Sequence, residues 1–174
     1  MKMPSKTTNK IQTLPPGFRF GAWLLFIGWW LLLIKFILFK HQTYVYVNYF
    51  RDAFPDYNLQ KGWASANMVP FRNIINIIQN SDLYTFRFGN ITGNIMGFVP
   101  AGFLCSLIFM HKSQPKQSLV VCGTASALFE ITQWFLGIGI MDIDDLILNL
   151  MGTFLGATIG VFCQKFFHNP GIRV

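Results

Sequence analysis

The stretch DIDDLILNLMGTFLGATIGVF, Asp142 to Phe162, decides the fold. It opens on the carboxylates Asp142, Asp144 and Asp145 and then carries no charged residue from Leu146 to Phe162. The hydrocarbon core of a bilayer is crossed by about 20 mostly apolar residues rising about 1.5 Å each. Ile143 to Phe162 is therefore expected to span a membrane as a helix. Gly152, Gly156 and Gly160 recur at every fourth position and so share one face. A small-residue seam of this kind lets a neighbouring helix approach closely. The acidic start has two readings of equal weight. Asp142 would cap the helix while Asp144 and Asp145 complement its positive dipole end, or the carboxylates would hold a cation or a lipid head group at the outer lip.

Working outward, three further runs have spanning length: Phe20 to Phe39, Gly89 to Met110 and Leu119 to Gly137. The expected fold is an all-α integral membrane protein, a bundle of about four transmembrane helices. Composition agrees. Of 174 residues, 52% are hydrophobic and only 12% charged, where soluble domains carry about 25% charged residues. The net charge is +7, but Lys and Arg are scattered rather than gathered on one amphipathic face. That excludes a nucleic-acid partner and assigns the basic residues to membrane flanks. Cys105, Cys122 and Cys163 each sit inside an apolar run without CxxC spacing, so they read as small core residues rather than a zinc site or a disulfide framework. No cofactor is expected.

Residues 1–19 form a basic tail with Lys2, Lys6 and Lys10. The apolar run that follows is too long for a signal-peptide core, and Lys40-His41-Gln42-Thr43 offers no small-residue cleavage site, so the first helix is expected to be retained. Its Trp23, Trp29 and Trp30 suit interface and lipid contact, and Lys35 can reach outward from its far end. Residues 41–88 are too polar to span. They are expected to form an interfacial amphipathic segment, because Phe71, Ile74, Ile75 and Ile78 recur at helical spacing with Arg72, Asn73, Asn76 and Gln79 on other faces. Packing of the same stripe against the bundle is an equal alternative. The transmembrane domain thus covers 20–163, with helices at 20–39, 89–110, 119–137 and 143–162, and residues 164–174 form a second tail. In such a bundle the N-terminal tail, the loop with Lys112 and Lys116, and the tail with Lys165 and Arg173 fall on one side. The positive-inside rule makes that side cytoplasmic.

Polar residues inside the last three helices lie toward the other side: Asn90, Asn94, Glu130, Gln133, Asp142, Asp144, Asp145 and Asn149. At 1.5 Å per residue, Asn94 is about 8 Å below Gly89, while Glu130 and Asn149 are each about 10 Å below the same surface. Asn90 with Asn94, Glu130 with Gln133, and Asp145 with Asn149 each share a helical face. A carboxylate in hydrocarbon costs at least about 2.5 kcal/mol and is normally paired, protonated or functional. An inward polar cluster centred on Asn94, Glu130 and Asn149 is therefore expected, either as a functional pocket or as interhelical glue. Pro100 lacks an N–H and is expected to kink its helix.

Four blocks carry a resemblance: Asn67-Met68-Val69-Pro70-Phe71, Gly93 through Gly102, Glu130 through Gln133, and Asp142 through Gly152. In this order they resemble the VanZ-like family, whose pattern runs N-x-x-P-F, G-N-x-x-x-F-x-P-x-G, E-x-x-Q and D-x-x-D-x-x-x-N-x-x-G. The resemblance implies a bacterial cytoplasmic-membrane protein associated with resistance to the glycopeptide teicoplanin. It also singles out Asn67, Asn94, Glu130, Gln133, Asp142, Asp145 and Asn149 as the site residues. The first functional expectation is an outward-facing polar pocket that binds or moves an envelope lipid, a lipid-linked wall precursor or the antibiotic. The alternatives are a structural scaffold and, third, a membrane enzyme using Glu130 or Asp145 as acid or base. The enzyme ranks last because no Ser-His pair, HExxH or phosphate-binding loop is present and His41, His111 and His168 lie outside the spans.

Overall fold

The computed structural model describes residues 16–39, 46, 47, 51, 63–79, 84–109 and 115–167, with residues 16, 84–88 and 167 described in backbone only. Most of the basic N-terminal tail, Lys112, Arg173 and much of the segment 41–88 lie outside the described residues. The elements in chain order are α1 (Pro16–Leu38), α2 (Arg72–Gln79), α3 (Tyr84–Ile108), α4 (Lys116–Leu136) and α5 (Ile143–Phe167). All but α2 are long and apolar enough to cross a bilayer. The chain is a multi-pass membrane protein, helical and without strands among the described residues.

Local chemistry sets the boundaries. Pro16 opens α1, where a missing N–H costs nothing. Gly137 closes α4 at φ 65°, a left-handed conformation that glycine adopts freely. Its N–H donates to Trp134 O at 3.2 Å, and the N–H of Ile138 donates to Gln133 O at 3.0 Å. That pair of bonds is a Schellman turn, and it reverses the chain into α5. Helix α3 begins before Gly89 and continues unbroken through Pro100.

The tightest pairing joins α3 and α5, which run parallel although α4 separates them in sequence. A Cβ placed on Gly152 would overlap the carbonyl oxygen of Ile95, one on Gly156 that of Val99, and one on Gly160 the hydroxyl of Ser106. From the other side, a Cβ on Gly102 would overlap the carbonyl oxygen of Thr153. Two helix backbones are thus in near contact along the seam. Hydrocarbon offers helices no hydrophobic reason to associate, so this close van der Waals fit has to hold them. Gln164 adds a bond from Nε2 to Ser106 O at 2.8 Å.

Helix α1 lies against α3 and α4 around a core of Phe26, Leu33, Phe98, Ala101, Leu104, Cys105 and Cys122. Here the expected lipid role of the tryptophans is corrected for two of them. Trp29 donates its indole N–H to Gly97 O at 2.8 Å, and Trp30 packs edge-on to Phe26 and Phe98 and tilted against Phe129. An indole N–H facing hydrocarbon would go unpaired, so the ring turns toward an acceptor inside the bundle. Trp23 is exposed, while Trp29 and Trp30 are partly buried. The lipid-facing side of α1 is instead aliphatic and Phe-rich, with Leu24, Leu25, Leu31 and Phe36 exposed.

Helix α2 uses both faces that its sequence offers. Ile77 is buried against the bundle, while Phe71, Ile75 and Ile78 are exposed. Of the expected stripe, Phe71, Ile75 and Ile78 are thus exposed and Ile74 is half-buried, while the residue packed against the bundle, Ile77, lies outside that stripe.

Candidate functional site

The site is assembled where α2 meets the start of α5. Asn67 and the α4–α5 turn form an isolated parallel bridge: Asn67 N donates to Met141 O at 2.8 Å, and Ile143 N donates to Asn67 O at 2.9 Å. This backbone clasp brings the N-x-x-P-F block beside the aspartate run. Asp142 then works as an N-cap, accepting from the backbone N–H of Asp144 at 2.9 Å. Its carboxylate also accepts from Asn67 Nδ2 at 2.7 Å and Asn73 Nδ2 at 2.6 Å.

Asp144 serves a second helix. Its carboxylate, on a side chain only 2% exposed, accepts from the backbone N–H groups of Phe71, Asn73 and Ile74. These are the donors that the first turn of α2 leaves without intrahelical partners, and a carboxylate there also complements the helix dipole. Phe71 reaches this arrangement with φ 64°, a left-handed conformation that is costly for a side chain with a Cβ. One aspartate run therefore caps two helices, α5 through Asp142 and α2 through Asp144.

Around this latch lies a cavity of about 540 Å³. Its polar wall includes Asn67, Arg72, Asn76, Asn90, Asp142 and Asp145. Asp145 accepts from Asn94 Nδ2 at 2.6 Å, joining α5 to α3. Glu130, 5% exposed, accepts from the backbone N–H of Asp142 at 2.9 Å and so fixes the turn from behind. Among the described residues no trio of Asp, Glu, His or Cys converges as metal ligands.

Of the residues expected at the site, Asn67, Asp142 and Asp145 line the cavity, and Asn94 and Glu130 hold its acidic wall in place. Gln133 lies elsewhere, donating from Nε2 to Ile37 O at 2.8 Å and tying α4 to α1. Asn149 turns toward α4, where its Nδ2 donates to Ser126 Oγ at 2.8 Å. The expected centre of Asn94, Glu130 and Asn149 thus differs from the observed one, which is Asp142 with Asp144. Equal depth along an axis does not set equal direction around it, and Asn149 bonds toward α4 while Asn94 bonds Asp145. Sequence reasoning left Asp144, Asn73 and Arg72 out of the site set. Asn73 and Arg72 follow directly on the N-x-x-P-F block, and a helix start needing a distant carboxylate was the signal available.

A sequence model of the VanZ/LLP1 family matches residues 24–164, and no curated protein and no solved structure matches the chain. The matched region contains every residue of the latch and of the cavity wall. It also covers most of the chain, which therefore belongs to the VanZ/LLP1 family.

Proposed function

We propose that the cavity is an outward-facing binding site for the polar head of an envelope amphiphile, in a bacterial cytoplasmic membrane, and that through it the protein contributes to teicoplanin resistance or envelope homeostasis. The observation that carries this reading is the cavity of about 540 Å³ between α2 and the bundle, walled by Arg72, amides and carboxylates. A polar hollow beside lipid-exposed Phe71, Ile75 and Ile78 suits a molecule with a polar head and an apolar tail. Helix α2 would then lie at the membrane interface. The charge distribution supports the orientation: of the described basic residues, Arg19, Lys116 and Lys165 sit at the end of the bundle opposite the carboxylates, and Lys35 and Arg72 sit toward the carboxylate end; the first group belongs to the tails and the short loop, the segments that the positive-inside rule counts.

The test pairs teicoplanin susceptibility with protein abundance in isolated membranes for Asp145→Asn and Glu130→Gln. Reduced resistance at unchanged abundance is expected for both. Normal resistance in both, at normal abundance, would count against a functional cavity. The scaffold reading has one observation in its favour, that Asp142 and Asp144 each hold a helix start. It predicts instead that lost resistance always tracks lost protein.

A further inference from the structure

We propose that the group this cavity receives is a primary ammonium, carried by an aminophospholipid of the phosphatidylethanolamine type. The inference rests on the reading above that the cavity binds an amphiphile's head, and it names the chemistry of that head. Among the described residues Asp142 accepts only from neutral donors: the amides of Asn67 and Asn73 and the backbone N–H of Asp144. Among the same residues Asp144 accepts only from backbone N–H groups and the Asn67 amide. Two adjacent carboxylates, bridged by one asparagine, thus face the cavity without a cationic partner among the described residues. The starts of α2 and α5 offset part of that charge, since each carries roughly half a positive charge. The remainder favours a cation.

A second, independent observation comes from Asn67. It is only 7% exposed and lies on the cavity wall, yet its Oδ1 has no hydrogen-bond partner. Buried acceptors are normally satisfied. This corner, made of Asn67, Asp142 and Asp144, is therefore rich in acceptors. A primary ammonium is the complement: it is compact, positively charged, and has three N–H donors and no acceptor. A trimethylammonium has the charge but no N–H. A divalent metal fits less well, because no group of three Asp, Glu, His or Cys side chains gathers to hold one among the described residues.

The rest of the wall suits the rest of such a lipid. Arg72 is exposed at the rim of the same cavity, where a guanidinium can pair with a phosphate. Phe71, Ile75 and Ile78, exposed on and beside the same helix, would give the acyl chains an apolar surface.

The experiment uses the full chain purified in a non-ionic detergent. It is titrated with short-chain phosphatidylethanolamine, phosphatidylcholine or phosphatidylglycerol, and bound lipid is counted by native mass spectrometry. Phosphatidylethanolamine is expected to bind about tenfold more tightly than phosphatidylcholine, the size of one charge-assisted hydrogen bond. That preference should vanish in Asp142→Asn. Because Asp142→Asn also weakens a cap, Asn90→Leu serves as the second variant; it fills the cavity wall without touching either cap, and it should lower binding of phosphatidylethanolamine. Equal binding of the ethanolamine and choline lipids, or a preference for phosphatidylglycerol, overturns the ammonium assignment. If Asn90→Leu still abolishes that binding, the cavity reading survives. If all lipids bind the wild type and Asn90→Leu alike, or none binds the wild type, both fall.

Discussion

Single residues carry unequal weight at the latch. Asp144 accepts from three N–H groups at the start of α2, and hydrogen bonds to a charged group contribute about 1.5–3 kcal/mol each. Asp144→Asn is therefore expected to cost about 2–3 kcal/mol in the docking of α2. It should show as a lower melting temperature in detergent and as faster proteolysis within residues 63–79. Phe71 is the second decisive residue, since its φ of 64° is unfavourable for any residue with a Cβ. Phe71→Gly should relieve about 1 kcal/mol of backbone strain. Phe71→Val, with a branched Cβ in the same conformation, should lower the melting temperature. If the two variants melt alike, the left-handed turn does not limit stability. Neither role was legible in the sequence. Asp144 reads as a local dipole partner, because its real acceptor role depends on a helix start some seventy residues away.

At the scale of elements, the α3–α5 seam should be the least forgiving surface of the protein. Gly156 faces the Val99 carbonyl with no room for a Cβ, whereas Gly93, on the exposed side of α3, has no atom within 4 Å of the Cβ position. Gly156→Ala is expected to destabilise by about 1–3 kcal/mol through overpacking. Gly93→Ala should be neutral or stabilise by up to about 1 kcal/mol, because alanine favours a helix. Thermal melts of both variants in one detergent check the contrast, and equal melting temperatures would contradict the seam. The GxxxG repeat in α5 was readable from residue spacing. Its partner was not, because spacing marks a close-packing face without saying which helix fills it. The tryptophans of α1 teach the same lesson in reverse: composition suggests an interfacial belt, and the carbonyl of Gly97 draws Trp29 inward. Trp29→Phe should cost about 1 kcal/mol, the net value of a typical hydrogen bond.

For the whole molecule, the proposed orientation makes a labelling prediction. In a cysteine-free background, Ile140→Cys at the cavity end should react with a membrane-impermeant maleimide in intact cells, and Lys116→Cys should react only after permeabilisation. The reverse pattern would turn the cavity toward the cytoplasm. The sequence by itself determined the number of the spanning helices, the close-packing face of α5, the membrane setting and the family. Each follows from local quantities: the apolar length needed to cross hydrocarbon, the spacing of small residues, and the order of short blocks. Tertiary structure alone decided that α3 and α5 pair in parallel, that α2 folds back onto the start of α5, and that the polar centre is Asp142 with Asp144 rather than Asn94, Glu130 and Asn149. The physical reason is that depth and periodicity along a helix are set by the chain, whereas rotation about its axis is set by its neighbour. In this protein the neighbour is a glycine seam that fixes one rotation, and a distant helix start whose unpaired N–H groups require a carboxylate.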